Sequence, residues 1–242
     1  MPARSAFEPP ASGIVFLAVP DRAIAETAAR MAAAHPAADL AFVHLSGATT
    51  LAALDALAPR PRGSFHPMQS FPFPRPPAAF RGVTVAVDAT TPALRRRLNA
   101  LARRLGATPK PVSDADRAAY HAAGVYASSF LNVLFGEAVG LLEGIGWSQK
   151  DAVRALLPIT ESAVANIRRK GVAGALTGPL RRGDAETVAR HLEVVADRDL
   201  YRMLASIALE IAREAGLEPA AAERVKRALT RDVAATRRRS RR

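Results

Sequence analysis

A histidine in a proline-rich segment and an arginine and histidine on a predicted helix are the residues best suited to chemistry. The segment Ser64–Phe71 (SFHPMQSF) places His66 and Gln69 in a loop whose prolines restrict the backbone. An imidazole there could donate to a substrate oxygen or move a proton, or it could merely satisfy backbone groups of a tight loop. Arg117 and His121 stand four residues apart and share a helix face, where they could polarise and protonate a carbonyl or simply face solvent.

Small and polar residues at the ends of two predicted strands are candidates for ligand binding. The apolar runs Gly13–Val19 and Leu40–Leu45 are typical of strands buried on both faces. Open parallel sheets bind ligands at the carboxyl ends of such strands, although ordinary strand-to-helix turns have the same composition. The residues that we assign to cofactor binding on this ground are Val19, Pro20, Asp21, Ser46 and Gly47.

Further polar candidates lie on or after the predicted long helix. Ser128 continues the helix face of His121. Thr177 and the run Arg181–Asp184 (RRGD) form a compact polar turn before another helix, although Asp184 as a plain helix cap explains much of this pattern. The candidates for substrate binding from the residues alone are Gln69, Ser128, Thr177, Arg182 and Asp184.

Two common kinds of site are missing from the sequence. There is no cysteine, and no two of the five histidines stand at a metalloprotease spacing, so we expect no catalytic metal. The chain also contains neither a GxGxxG turn nor a Walker-type loop, the Gly-rich segments that hold phosphates.

Strand and helix patterns divide the chain near residue 112. Before it, apolar runs alternate with helical patterns, which indicates a mostly parallel sheet with helices on its faces. After it the patterns are all helical, with one helix expected from Ser113 to Glu143 and another interrupted or kinked at Pro158. We therefore predict an α/β domain over residues 1–112, a helical domain over 113–235 and a basic, disordered tail over 236–242.

Composition limits the partners. The net charge is +12, but nine Lys or Arg against Glu223 and Asp232 place +7 of it in the last 20 residues. Such a tail binds nucleic acid weakly at low salt, and no interleaved aromatics support specific recognition, so we expect no nucleic-acid function. No uninterrupted apolar stretch approaches membrane-spanning length, and we expect a cytoplasmic protein with no membrane partner.

Several of these motifs together resemble one family. They are FLAVPD (Phe16–Asp21), HLSGA (His44–Ala48), FHPMQSF (Phe65–Phe71), RAAYHAA (Arg117–Ala123), Asn166, ALTGP (Ala175–Pro179), RRGD (Arg181–Asp184) and His191. The set is similar to Rossmann-like proteins that carry the DUF2520 helical domain. These are relatives of the 6-phosphogluconate dehydrogenase-like oxidoreductases, such as the pyrroline-5-carboxylate, ketopantoate and hydroxyisobutyrate types.

The resemblance implies a fold, a cofactor and an assembly. Residues 1–112 would form a partial nucleotide-binding domain, built on a truncated Rossmann-like parallel sheet. An all-α domain like the C-terminal domain of 6-phosphogluconate dehydrogenase would follow it. The cofactor would be NADP or NAD, the chain would form a homodimer through its helical domain, and Asn166 would join the substrate-binding residues. Because FLAVPD resembles the fourth strand of the family domain, the GxGxxG unit would lie upstream of Met1 or be missing. Ser129 departs from the Ala-Ser-Asn run of the family.

Two functions remain open at this point. In the first, the protein reduces a small carbonyl or imine, and Arg117, His121 and His66 polarise and protonate this small-molecule substrate. In the second, it is a non-catalytic module that binds a ligand or dimerises, as the missing phosphate loop suggests.

Overall fold

The computed structural model describes residues 10–230, which form two compact units. Within the described residues, the units cover residues 10–131 and 132–230. The predicted domain boundary at residue 112 stays a prediction. The predicted basic tail, residues 236–242, and the end of the predicted helical domain lie outside the described residues.

The first unit is built on a five-stranded sheet whose strands lie in chain order. All pairs are parallel except β3 with β4, so the expected mostly parallel α/β sheet is confirmed. The antiparallel pair follows from the proline-rich connection, which holds no crossover helix and so returns the chain directly. The strands are β1 (Gly13–Leu17), β2 (Leu40–His44), β3 (Arg62–Pro67), β4 (Thr84–Ala89) and β5 (Thr108–Pro111).

The central strand β2 separates two apolar clusters. Its alternate residues point to opposite faces, with Leu40 and Phe42 in one cluster and Ala41 and Val43 in the other. The prediction of a strand buried on both faces is thus confirmed for β2. It is wrong for β1, which forms the edge of the sheet among residues 10–230 and leaves Phe16 37% exposed.

Two helices cover these clusters. Helix α1 (Ile24–Ala33) packs on the cluster of Leu40 and Phe42. Helix α2 (Pro92–Arg104) packs on the opposite cluster. It begins after Thr91, because the Thr91 hydroxyl accepts a hydrogen bond from the Leu94 N–H and Pro92 suits the first helical position.

The single helix expected from Ser113 to Glu143 is wrong, because the structure divides it. A short 3-10 turn leads into α3 (Arg117–Ala127), and α4 (Ser129–Glu143) begins after a non-helical residue, Ser128, with φ −125° and ψ −69°. The Ser128 hydroxyl donates to the Gly124 carbonyl at 2.7 Å, and this local bond competes with continuation of the helix.

An 18-residue window within Asp114–Glu143 has a mean hydropathy of 1.5, and 6% of it is buried. By length and composition alone this stretch could cross a membrane. Helices in the cores and interfaces of soluble proteins meet the same criterion, so the finding is a weak indication.

The second unit is all helical. Its longest helix continues through Pro158, so an interruption there is wrong, whereas the alternative of a kink at Pro158 stays a prediction. The non-helical residue of this helix is Gly171, at φ 70°. The helices after α4 are α5 (Gln149–Ala175), α6 (Gly178–Arg182), α7 (Ala185–Val194), α8 (Arg198–Glu214) and α9 (Pro219–Thr230).

Candidate functional site

Three parallel strands of the first unit end at the same edge of the sheet. Asp21 opens a turn soon after β1, Ser46 and Gly47 follow β2, and His66 lies near the end of β3. Because β1, β2 and β3 run in the same direction, the structure brings these separated residues to one edge.

A hydrogen-bonded cluster occupies the part of this edge beside β1 and β2. Ser46 Oγ lies 2.7 Å from Asp21 Oδ2 and 2.9 Å from Thr49 Oγ1. Since a carboxylate only accepts, the Ser46 hydroxyl donates to Asp21 and the Thr49 hydroxyl donates to Ser46. Ser46 Oγ also accepts the Ala48 and Thr49 N–H groups, which fixes the turn. The Asp21 residue stays exposed.

Val19 and Pro20, the other two cofactor candidates, serve the turn after β1. The Val19 side chain packs against the apolar cluster that contains Ile24. The Pro20 carbonyl accepts the Ala23 N–H at 2.8 Å and so closes the 3-10 turn. Any contact of these two residues with a cofactor stays a prediction.

Tyr120 and Gly47 hold the imidazole of His66. Tyr120 Oη, from α3, lies 3.0 Å from His66 Nδ1 and 3.1 Å from the His66 carbonyl oxygen. The two rings meet edge to face, with centroids 5.5 Å apart at 85°. A Cβ on Gly47 would lie 2.7 Å from His66 Cε1, so the ring needs a glycine at this position.

A cavity of about 460 Å³ opens beside His66. Four of the sequence-predicted site residues line it, and they are His66, Gln69, His121 and Ser128. His66 and His121 are the titratable side chains of the lining. The rest of the lining is small or apolar and comprises Met68, Ser70, Gly124, Val125, Ala127 and Ser129.

The electrostatics of the cavity favour a neutral His66. Burial, above all, lowers the pKa of His66, and the nearby His121 and Arg117 lower it further against the opposing effect of Asp21. Burial raises the pKa of Tyr120, against a smaller opposing effect of the Ala86 N–H. At neutral pH the pair is therefore an uncharged imidazole and a protonated phenol.

Arg117 is buried and does not line the cavity. Its side chain is 1% exposed, Nε donates to Asp114 Oδ1 at 2.7 Å and Nη2 donates to Ser64 Oγ at 2.5 Å. Asp88 Oδ2 lies 3.8 Å from Nη2, while Nη1 has no hydrogen-bond partner within residues 10–230. These contacts join the start of α3 to β3 and β4. Direct contact of Arg117 with a substrate stays a prediction.

His44, at the end of β2, is fully buried. Neither of its ring nitrogens has a hydrogen-bond partner among the described residues. Burial, and then the charge of Arg117, lower its pKa to about 4, so the ring is neutral at neutral pH.

A family model described as a domain of unknown function, DUF2520, matches residues 83–208, just over half of the chain. The chain belongs to the DUF2520 family. A search of the curated proteins found no further relative of this DUF2520 chain.

Solved structures share the fold of the DUF2520 chain. A protein from Thermotoga maritima is 21% identical with a TM-score of 0.71, over 86% of this chain and 81% of its own. A Bacteroides fragilis protein provisionally named an NADP oxidoreductase is 24% identical with a TM-score of 0.67, over 81% and 74%. Pyrroline carboxylate reductase from Plasmodium falciparum, with NADP bound, is 10% identical with a TM-score of 0.56, over 88% and 77%. The predicted Rossmann-like fold with a helical second part is confirmed.

The remaining substrate candidates of the DUF2520 chain belong to its second unit. Asp184 caps α7, because its oxygens accept the Thr187 N–H and hydroxyl at 3.0 and 2.7 Å, and these bonds lower its pKa. Asn166 accepts a hydrogen bond from Arg169. Thr177 directly precedes α6, and Arg182 is the last residue of that helix. Their contact with a substrate stays a prediction.

No group of three or more possible metal ligands occurs within residues 10–230. Four residues of the site region in this DUF2520 chain were not predicted from the sequence as site residues. They are His44, Ser64, Asp88 and Tyr120. The available signal for Tyr120 was its place one residue before His121, but its partner His66 is 54 positions away.

Proposed function

We propose that the protein is an oxidoreductase that uses NADP or NAD to reduce a small carbonyl or imine. The observation that carries this proposal is the cavity lined by two histidines, next to the edge where β1 and β2 end. The fold shared with an NADP-bound reductase supports the same proposal.

The donor set at the sheet edge fits one end of such a cofactor. The hydroxyls of Ser46 and Thr49 and the exposed carboxylate of Asp21 suit ribose hydroxyls and a carboxamide. A pyrophosphate is a poor match there, because Asp21 is negatively charged and the chain contains no Gly-rich phosphate loop. We assign the nicotinamide and its ribose to Asp21, Ser46 and Gly47.

The residues of the cavity would position the substrate and move a proton. When bound, the cofactor supplies the hydride. Gln69 and Ser128 hydrogen-bond polar atoms of the substrate, and the imidazoles of His66 and His121 hold or move a proton at a ring nitrogen beside its reacting heteroatom. The apolar part of the lining, from Met68 to Val125, excludes water from that group.

A titration with NADPH, followed by nicotinamide fluorescence, tests this function. We expect the full chain to bind NADPH saturably. Asp21→Asn should weaken that binding about tenfold, because a hydrogen bond to a charged group is lost. Asp39→Asn, just before the amino end of β2, is the matched control and should leave affinity unchanged. Failure of the full chain to bind NADPH would refute the proposal.

We also propose that a second copy of this chain covers α4. Residues 132–143 of this apolar helix belong to the second unit, and they pack closely against none of the other described helices of that unit. Large apolar side chains of the second unit are exposed along α4 and along α5. They are Val133, Leu134, Leu141, Leu157, Ile159, Val164 and Ile167. Helix α5 also carries charged residues, which suits a protein interface and excludes burial of that helix in a bilayer.

Sedimentation velocity tests the homodimer. The wild type should sediment as a dimer without detergent, and Leu134→Arg on α4 should shift it to a monomer. Phe73→Arg places the same charge on an exposed apolar residue of the first unit and should leave the dimer intact. A monomeric wild type that instead floats with phospholipid vesicles would overturn the proposal in favour of a membrane.

A further inference from the structure

The contacts of Tyr120 determine which nitrogen of His66 carries the proton. The Tyr120 hydroxyl lies 3.1 Å from the His66 carbonyl oxygen and 3.0 Å from Nδ1. A carbonyl oxygen only accepts, and a phenol has one hydrogen to give. Both contacts are hydrogen bonds only when Tyr120 donates to the carbonyl and Nδ1–H donates to Tyr120 Oη.

The alternative tautomer loses one of these two bonds. With the proton on Nε2, the bare Nδ1 and the carbonyl would compete for the single phenolic hydrogen, and one acceptor would lose its partner. The partly buried position makes such a loss costly. Burial keeps Tyr120 protonated because it raises the pKa of the phenol, so the donor to the carbonyl persists at neutral pH.

We propose that Tyr120 is a positioning residue that holds neutral His66 as the Nδ1–H tautomer, so that Nε2 offers a lone pair to the ligand in the cavity. Gly47 supports this arrangement, since any larger residue would occupy the space of the ring. The inference deepens the proposed function and rests on it for the role of the cavity.

The tautomer selects the chemistry of the ligand. A lone pair on Nε2 accepts a hydrogen bond and cannot donate one. The polar group that the ligand places beside His66 is therefore a donor, such as a hydroxyl, an amine or the N–H of an iminium. A bare carbonyl oxygen or a carboxylate would instead be placed beside His121, the other titratable residue of the lining.

Long-range ¹H–¹⁵N correlation spectra of the full chain, labelled with ring-¹⁵N histidine, test the inference. The chain has five histidines, and His66→Asn identifies the His66 signals by their disappearance. Above the His66 titration, the wild type should show a protonated Nδ1 and an unprotonated Nε2. Tyr120→Phe removes the acceptor of the Nδ1 proton and should shift the proton towards Nε2.

Tyr126→Phe is the matched control, because Tyr126 lies on the same helix and is 71% exposed. It should leave the His66 tautomer unchanged. A protonated Nε2 in the wild type would overturn the inference even if Tyr120→Phe failed to fold. The NADPH titration is independent of this result. A wild type that binds NADPH but carries the His66 proton on Nε2 refutes only the inference. A wild type that carries the proton on Nδ1 but does not bind NADPH refutes only the proposed function.

Discussion

Gly47 lies against the imidazole of His66, and a Cβ built on it would come within 2.9 Å of both ring nitrogens. Gly47→Ala must therefore displace the ring and break its bond to Tyr120. We expect the His66 ring signals to shift and the free energy of unfolding to fall by about 1 kcal/mol, the net contribution of one hydrogen bond. Urea unfolding and histidine NMR measure the two effects. Gly140→Ala, whose Cβ meets nothing within 4 Å, should leave the His66 signals unmoved.

Arg117 should matter for stability because it is the buried centre of a charged network. Arg117→Met leaves Asp114 without its charged partner and Ser64 without its donor, and should lower the free energy of unfolding by about 3 kcal/mol. Arg154→Met is the matched control, since Arg154 also pairs with an aspartate three residues earlier but is 76% exposed. It should cost about 0.5 kcal/mol or less. Equal losses in urea unfolding would contradict the assigned role of Arg117.

The sequence predicted those parts of the fold that depend on local patterns. The apolar run of β2 indicates its burial, and Thr91 with Pro92 marks the start of α2, because strand burial and helix capping depend on neighbouring residues. The break at Ser128 carries no such mark, since the residues around it favour helix. Pro158 is a local mark of a helix break, but α5 continues through it.

Individual residues of the site could be predicted from the sequence, but their arrangement could not. His66 and His121 each stood out by residue type, and the fold brings both to one cavity. The role of Tyr120 could not be predicted, because its partner His66 lies on a strand that only the folded sheet brings near. The burial of Arg117 could not be predicted either. Its spacing from His121 indicates a shared helix face but does not indicate which elements pack against that face.

The buried His44 predicts a stability that falls in mild acid. The folded state holds its pKa at about 4, whereas the unfolded chain takes up a proton below the ordinary value of 6.5. Between these values the unfolded state binds more protons, so the contribution of His44 is complete above pH 6.5 and is lost as the pH falls towards 4. The loss is about 3 kcal/mol.

The measurement is the free energy of unfolding between pH 4 and 8 for the wild type and His44→Leu. The wild type should lose more stability than the variant over this range, because leucine cannot titrate. His35→Asn is the control, since His35 is exposed with a positive φ that asparagine tolerates, and its pH dependence should match the wild type. Parallel curves for wild type and His44→Leu would show that His44 does not carry the effect.

Gly183 and Gly178 allow backbone strain to be separated from steric overlap in the second unit. Both have positive φ, 68° and 81°, at the two ends of α6. A Cβ on Gly183 would also lie 2.6 Å from the Cβ of Ala221 on α9, whereas a Cβ on Gly178 meets nothing within 4 Å. We therefore expect Gly178→Ala to cost about 1 kcal/mol for strain alone. Gly183→Ala should cost about 3 kcal/mol in urea unfolding, because α9 must also move. Equal costs would mean that α9 moves away easily and that the close approach of Gly183 to Ala221 contributes little to stability.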